Sequence, residues 1–294
     1  MGCSGPKTPS IHYSITPTFY MSKIRVLVVD DSAVIRRLVS DVINGDPALE
    51  VAGVAANGRL AQECIEQLKP DLVTMDVEMP EMDGVQAVKE LRKKHPRLPV
   101  IMFSYLTQRG VVTTMDALAA GASDYVAKPA NVSSASAGRA RVRDELIPKI
   151  KALCGLKESL TASASFSRAS LVRPQPLLAS AGASSSRRVD ILAIGVSTGG
   201  PNALAELIAG IPADFPIPIV IVQHMPPVFT RLLADRLNVA SALTVREGVV
   251  GEELKRGVAW LAPGDYHMVL EKTAGGARIA LNQQSPENSC RPAV

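Results

Sequence analysis

From Ile24 onward the chain alternates short apolar runs with segments whose apolar residues recur at helical spacing, the sequence form of a parallel sheet wrapped by helices. Five runs read as strands: IRVLVVD ending at Asp30, VAGVA at 51–55, DLVTMD ending at Asp76, PVIMFS ending at Ser104 and DYVAK ending at Lys128. Helical spacing recurs near 33–44, 58–69, 85–94 and 110–120. ARVRDELIPKIKALCG predicts a fifth helix that Pro148 bends or restarts. Residues 157–188 then hold 9 Ser and 6 Ala with Pro174 and Pro176 and no periodicity, which reads as a linker.

A second alternation follows. DILAIGVS at 190–197 predicts a strand, a helix opens at Pro201, IPIVIVQH ends a strand at His224, and a helix runs from Val228 to about Asn238. VAWLAPGDYHMVLE and ARIALNQ then read as strands, with Gly275-Gly276 as a hairpin turn. The predicted fold class is α/β throughout: a five-stranded parallel doubly wound domain, a linker, and an α/β parallel-sheet domain with a β-hairpin. The expected bounds are 1–22 for an N-terminal extension, 23–140 for the first domain, 141–188 for helix and linker, and 189–294 for the second domain.

Composition narrows the class. At 294 residues, with 47% hydrophobic content and mean hydropathy +0.15, the chain has apolar material for two cores. No run approaches the roughly 18 apolar residues needed to cross a bilayer, and the first 20 residues lack a basic and apolar leader pattern, so a cytoplasmic protein is expected. The net charge of +4 suggests nucleic acid until it is divided by region. Residues 21–130 carry 13 basic and 15 acidic side chains and residues 189–294 carry 8 and 10, so both folded parts are mildly acidic. The basic excess lies in 131–188, a solvated linker rather than a DNA-reading face, and no nucleic-acid partner is expected. Cys3, Cys64, Cys154 and Cys290 show no metal-site spacing and read as reduced structural thiols.

Ligands of an open parallel sheet bind at the carboxyl ends of its strands. Asp30, Asp31, Asp76, Ser104 and Lys128 all stand there. Singly, such residues are loop polar groups. Three carboxylates at one rim repel one another, and a hard cation such as Mg²⁺ with oxygen ligands would neutralise them. The segments VLVVDDS, DLVTMDVEMPEMDGV, VIMFS and ALAAGASDYVAKP, in this order, resemble the receiver domain of two-component response regulators over residues 23–130. The resemblance implies Asp76 as phosphoacceptor and Lys128 as the phosphate-pairing lysine. It implies Mg²⁺ held by Asp31, Asp76 and the Glu78 carbonyl, with Asp30 adjacent. Ser104 and Tyr125 would be the switch pair that moves on phosphorylation.

The second half carries different chemistry. Gly195-Val196-Ser197-Thr198-Gly199 fits G-x-S-x-G, a serine on a tight turn between an apolar strand and a helix. Glycine-serine turns also occur as phosphate or packing turns, so the motif alone is weak. His224 ends the next strand, which would bring an imidazole base to the same rim. His267, on the hairpin, reads as a surface or packing residue. The receiver-like half, the Ser/Ala-rich linker, and AIGVSTGGPNAL, IVIVQHMPPVFT and WLAPGDYHM together resemble the chemotaxis response-regulator protein-glutamate methylesterases from residue 23 to the last.

That resemblance implies Ser197 as nucleophile and His224 as its base. The substrates would be glutamate γ-methyl esters of methyl-accepting chemotaxis proteins at membrane receptor arrays, with receptor glutamines deamidated at the same site. It implies phosphorylation by the chemotaxis histidine kinase, Mg²⁺ for that step, and no cofactor for the ester chemistry. The family's third triad member is an Asp in a glycine-rich stretch beyond the NSCRPAV segment, so the sequence reads as ending short of it at Val294; Asp265 and Glu287 do not stand in such a motif. Residues 1–20 match no part of the family. The competing expectation is a catalytically dead receptor-docking protein that responds to phosphorylation, and a DNA-binding regulator is a weaker third.

Overall fold

The computed structural model describes residues 22–105, 107–129, 135–163, 189–287 and 290–293. The expected N-terminal extension, apart from Ser22, and the linker from 164 to 188 lie outside the described residues.

The N-terminal unit is a parallel sheet of five strands, β1 (Ile24–Val29), β2 (Leu49–Ala55), β3 (Leu72–Asp76), β4 (Val100–Ser104) and β5 (Asp124–Ala127), in the order β2-β1-β3-β4-β5. Helices α1 (Ala33–Asn44), α2 (Gly58–Leu68), α3 (Gly84–Lys94) and α4 (Gln108–Ala119) connect them. Each begins where a short polar side chain takes a free amide: Ser32 accepts from Ile35 N–H, Asn57 from Leu60, Asp83 from Gln86 and Thr107 from Gly110. α5 (Ala135–Ser163) runs through Pro148 without the expected restart and continues into the segment read as linker. Pro148 and Asp144 four residues before it are both exposed, so water can take the carbonyl bond that the proline frees.

The C-terminal unit is a second parallel sheet, β6 (Leu192–Val196), β7 (Ile219–Gln223), β8 (Thr244–Glu247) and β9 (Val258–Leu261), ordered β6-β7-β9-β8. β8, the segment TVRE, has too few apolar residues to announce itself and is a strand because it pairs with β9. α6 (Gly200–Ala209) and α7 (Phe229–Ala240) cover the sheet. β10 (His267–Thr273) and β11 (Gly276–Asn282) form the hairpin, and its turn falls on Ala274-Gly275, one residue earlier than expected, because Thr273 pairs with Gly276. No helix among the described residues is long and apolar enough to cross a membrane.

Two apolar layers hold the N-terminal sheet. One lies against α1 and α5. The other lies under α2, α3 and α4 and runs on without a break into the C-terminal unit through Tyr125, Phe229, Leu233 and Leu204. α4 packs directly on α6 and α7.

Thr230, fully buried, ties three elements of the second unit. Its hydroxyl donates to Glu247 at 2.6 Å at the end of β8 and accepts from Gly264 N–H at 3.0 Å in the turn after β9. Thr230→Val keeps the shape and removes both bonds. It is expected to lower unfolding free energy by about 1–3 kcal/mol, because Glu247 and the Gly264 amide lose a buried partner. Urea unfolding checks this, and an unchanged midpoint would contradict it.

Candidate functional sites

The topology reverses between β1 and β3, and the first cluster of polar residues lies at the carboxyl ends of those strands. Asp30 and Asp76 are buried and Asp31 is exposed, with carboxylate oxygens within 4.8 Å of one another. Lys128, after β5, sits 2.7 Å from Asp30 Oδ2 and 2.8 Å from Asp76 Oδ2. Asp76 Oδ1 accepts from Val77 N–H at 2.7 Å, and Asp30 Oδ1 from Ser32 N–H at 2.9 Å. One lysine faces three carboxylates, which leaves excess negative charge in a buried pocket. Burial, with the Asp30 charge beside it, pushes Asp76 up to about 6 against the two Lys128 contacts. Burial also raises Asp30. Burial alone would lower Lys128, but its bonds to Asp30 and Asp76 outweigh that and hold it above its ordinary value. The all-oxygen donor set and the surplus charge fit a hard divalent cation.

Two neighbours of this pocket point elsewhere. The Ser104 hydroxyl donates to the Tyr105 and Gly110 carbonyls at 3.2 and 3.4 Å. The exposed Glu78 carboxylate faces Arg109 at 3.4 Å.

The second cluster lies at the rim of the other sheet. β6 and β7 are adjacent and parallel, with Val196 paired to Gln223, so the next residue of each strand, Ser197 and His224, leaves at the same height. His224 Nδ1 stands 3.2 Å from Ser197 Oγ. Burial holds the imidazole below its ordinary pKa, so it is neutral near pH 7 and able to accept the hydroxyl proton. Gly199 caps α6 with φ +73, a conformation that glycine adopts without strain. At the start of α6 the Gly200 N–H turns back to the Ser197 carbonyl at 2.9 Å and Pro201 has no N–H to offer. A cleft of about 690 Å³ runs above the pair, lined by Tyr125 and Lys149 from the first unit and Asp265 and Arg291 from the second.

Asp265 does not touch the imidazole. Its carboxylate is held by Arg291 at 2.6 Å and Gln283 at 3.0 Å. Glu287 is exposed, and its backbone pairs with Cys290. His267 Nε2 lies 3.2 Å from the Ser285 carbonyl, away from Ser197.

The two clusters are joined by residues of which the sequence singled out only Tyr125 and the glycine of the serine turn. Asp124 Oδ2 accepts from Gly199 N–H at 3.1 Å, while Oδ1 takes Lys149 Nζ at 2.8 Å and Tyr125 N–H at 2.7 Å. Asn202 Nδ2 donates to the Ala122 carbonyl at 2.7 Å. The Tyr125 ring stacks on Phe229 with centroids 4.4 Å apart and planes 6° from parallel. Lys149 Nζ lies 5.0 Å from the Tyr125 centroid. Burial, with the Asp124 and Glu145 charges nearby, raises the Tyr125 hydroxyl well above its ordinary value, so this ring stays neutral.

Residues 26–136 match the model of the response regulator receiver domain, and residues 192–294 match that of the CheB methylesterase. A protein of Trichodesmium erythraeum (strain IMS101) named protein-glutamate methylesterase/protein-glutamine glutaminase is 46% identical over 280 residues, covering 93% of this chain and 77% of that one. A Nocardioides sp. (strain ATCC BAA-499 / JS614) protein of the same name is 48% identical over 274 residues, covering 93% and 74%. With such identity over most of both lengths, and a receiver match ahead of an esterase match, the chain belongs to the protein-glutamate methylesterase/protein-glutamine glutaminase family.

Proposed function

We propose that this chain is a phosphorylation-gated carboxyl-ester hydrolase. It removes methyl groups from glutamate side chains of methyl-accepting chemotaxis proteins, deamidates their glutamines, and so resets their signalling. The observation that carries the reading is the Ser197–His224 contact at a strand-to-helix turn, in a chain whose relatives are named for this activity. In this reading residues 23–140 are the receiver, 141–188 the helix and linker, and 189–294 the esterase. The protein works in the cytoplasm beside the receptor arrays.

Ser197 Oγ attacks the ester carbonyl carbon as His224 takes its proton. The tetrahedral oxyanion is held by backbone N–H of the serine turn, the Gly199 amide among them once Asp124 releases it. As the C–O bond breaks, His224 returns the proton and methanol leaves. Water then attacks the acyl-serine with His224 again as base, giving glutamate and free Ser197. From glutamine the leaving group is ammonia, and the other steps are unchanged.

Asp76 is the phosphoacceptor: its carboxylate attacks the phosphorus of the kinase phosphohistidine, and the imidazole departs. Asp31, Asp76 and the Glu78 carbonyl, with Asp30 adjacent, would hold Mg²⁺. That ion supplies positive charge to the equatorial phosphoryl oxygens. Lys128 pairs with the phosphoryl group, and Ser104 exchanges its carbonyl partners for it. Tyr125 moves with Ser104 and leaves Phe229. The receiver then releases the Gly199 amide beside Ser197.

Ser197→Ala is expected to abolish methanol release from methylated receptors, and activity surviving it would contradict the reading. The rate of the wild type should fall at acid pH with a single-proton limb whose midpoint lies below the ordinary imidazole value, because a protonated His224 accepts no proton; a limb with its midpoint above that value, or none before the protein unfolds, would contradict this. Apparent Mg²⁺ affinity should drop as pH falls through about 6, where Asp76 takes up a proton that competes with the ion, by about tenfold per pH unit at the acid end. Titration with MgCl₂ at pH 7.5 and 5 checks it, and equal affinities would contradict it. Asp124→Ala frees the Gly199 amide and is expected to raise the unphosphorylated rate; an unchanged rate would contradict the assignment of Asp124 to the cover.

A further inference from the structure

The ladder between β6 and β7 ends at the pair Val196–Gln223, one residue before the serine on one strand and the histidine on the other. Beyond it the chains part, and no backbone rung fixes Ser197 against His224. The Gln223 side chain fills that place. It is 3% exposed, and its amide nitrogen donates to the carbonyl of Ser197 at 3.1 Å and to that of His224 at 3.4 Å. Both amide hydrogens are thus spent on the two residues that carry the reacting groups. The Ser197 carbonyl also accepts from Gly200 N–H at 2.9 Å, so the amide meets the nucleophile turn at its most constrained atom.

The rest of the side chain is wedged. Gln223 Oε1 is buried with no hydrogen-bond partner, and a Cβ at position 200 would lie 1.9 Å from it. An orphaned buried acceptor is a cost that a methionine of similar shape would avoid. Packing therefore does not explain a glutamine here, whereas a two-pronged donor does.

We infer that Gln223 is a positioning residue of the ester-hydrolase site, a side-chain clamp that holds the Ser197 and His224 carbonyls together and sets the Oγ–Nδ1 separation. The inference rests on the reading of Ser197 as nucleophile and His224 as base. Gly200 belongs to the same device, since only glycine leaves room for the amide.

The test uses the full chain as wild type, Gln223→Met and Ser197→Ala, treated with a fluorophosphonate, with Ser197 modification followed by mass and the His224 imidazole nitrogens observed by NMR. Gln223→Met is expected to slow modification by about a hundredfold, the scale of a misplaced reacting pair. It should also shift the Nδ1 resonance while the backbone spectrum stays folded. With methylated receptor as substrate, kcat should fall and KM stay within about twofold. Modification of folded Gln223→Met at the wild-type rate, with Ser197→Ala unreactive, overturns the clamp and leaves the nucleophile in place. A wild type that is not modified at Ser197, or a Ser197→Ala chain that reacts equally, overturns the nucleophile reading and the clamp with it. Should Gln223→Met not fold, Gly200→Ala, alone and with Gln223→Ala, carries the test. Its added methyl should slow modification when glutamine is present and add little when it is absent; an equal loss in both backgrounds overturns the clamp.

Discussion

A buried carboxylate must find donors, and Asp124 finds them in three places that would otherwise be independent. It takes the amide of its own strand, the ammonium of Lys149 on α5, and the amide of Gly199 in the turn after β6. A charged acceptor makes the stronger class of hydrogen bond, and removing one donor leaves charge uncompensated. Through this single side chain the receiver's last strand is locked to the turn that carries Ser197. The amide it occupies belongs to the helix start that would otherwise serve a developing oxyanion. In this arrangement Ser197 itself stays exposed in the cleft, while the receiver holds one of the donors beside it.

The lock is connected to the acidic pocket by short steps. Lys128 closes the pocket, Ser104 lies one strand away, and Tyr125 is three residues before Lys128 with its ring against Phe229. An aromatic stack of this kind is worth about 0.5–1.5 kcal/mol beyond its buried area, and each hydrogen bond across the interface about as much. Their sum is a few kcal/mol, the scale on which a ligand or a modification shifts a two-state equilibrium. Val228, just before Phe229, sits at φ +74, costly for a β-branched residue at about 1–3 kcal/mol. A strained residue next to the stacking ring means that the closed arrangement is not the lowest-energy choice for every segment it contains.

Much of this was legible in the sequence because strand ends are marked by chemistry. Asp30, Asp76, Ser104 and Lys128 stand out since each polar residue follows an apolar run, and the fold brings such ends to one rim. Ser197 and His224 were legible for the same reason. What was not legible depends on tertiary placement. Asp124 opens a strand like many acidic residues, and nothing in its spacing says that it meets Gly199 seventy-five positions later. Asn202 and Phe229 read as ordinary helix residues until the units dock. Gln223 carries no mark of its own in IPIVIVQH, because a side chain that replaces a ladder rung leaves no periodic trace. TVRE became a strand only by pairing with β9, and α5 passes Pro148 without a restart because the exposed proline costs the helix little on its wet side.

The central claim is that the receiver holds the nucleophile turn closed and that phosphorylation opens it. Hydrogen exchange of the amides of residues 197–200, 202 and 203 tests it most directly, followed before and after adding Mg²⁺ and a small phosphodonor. The account predicts that the Gly199 amide is protected at rest and loses that protection on phosphorylation, together with the amides packed against α4. Unchanged protection across this turn while methanol release rises would contradict it.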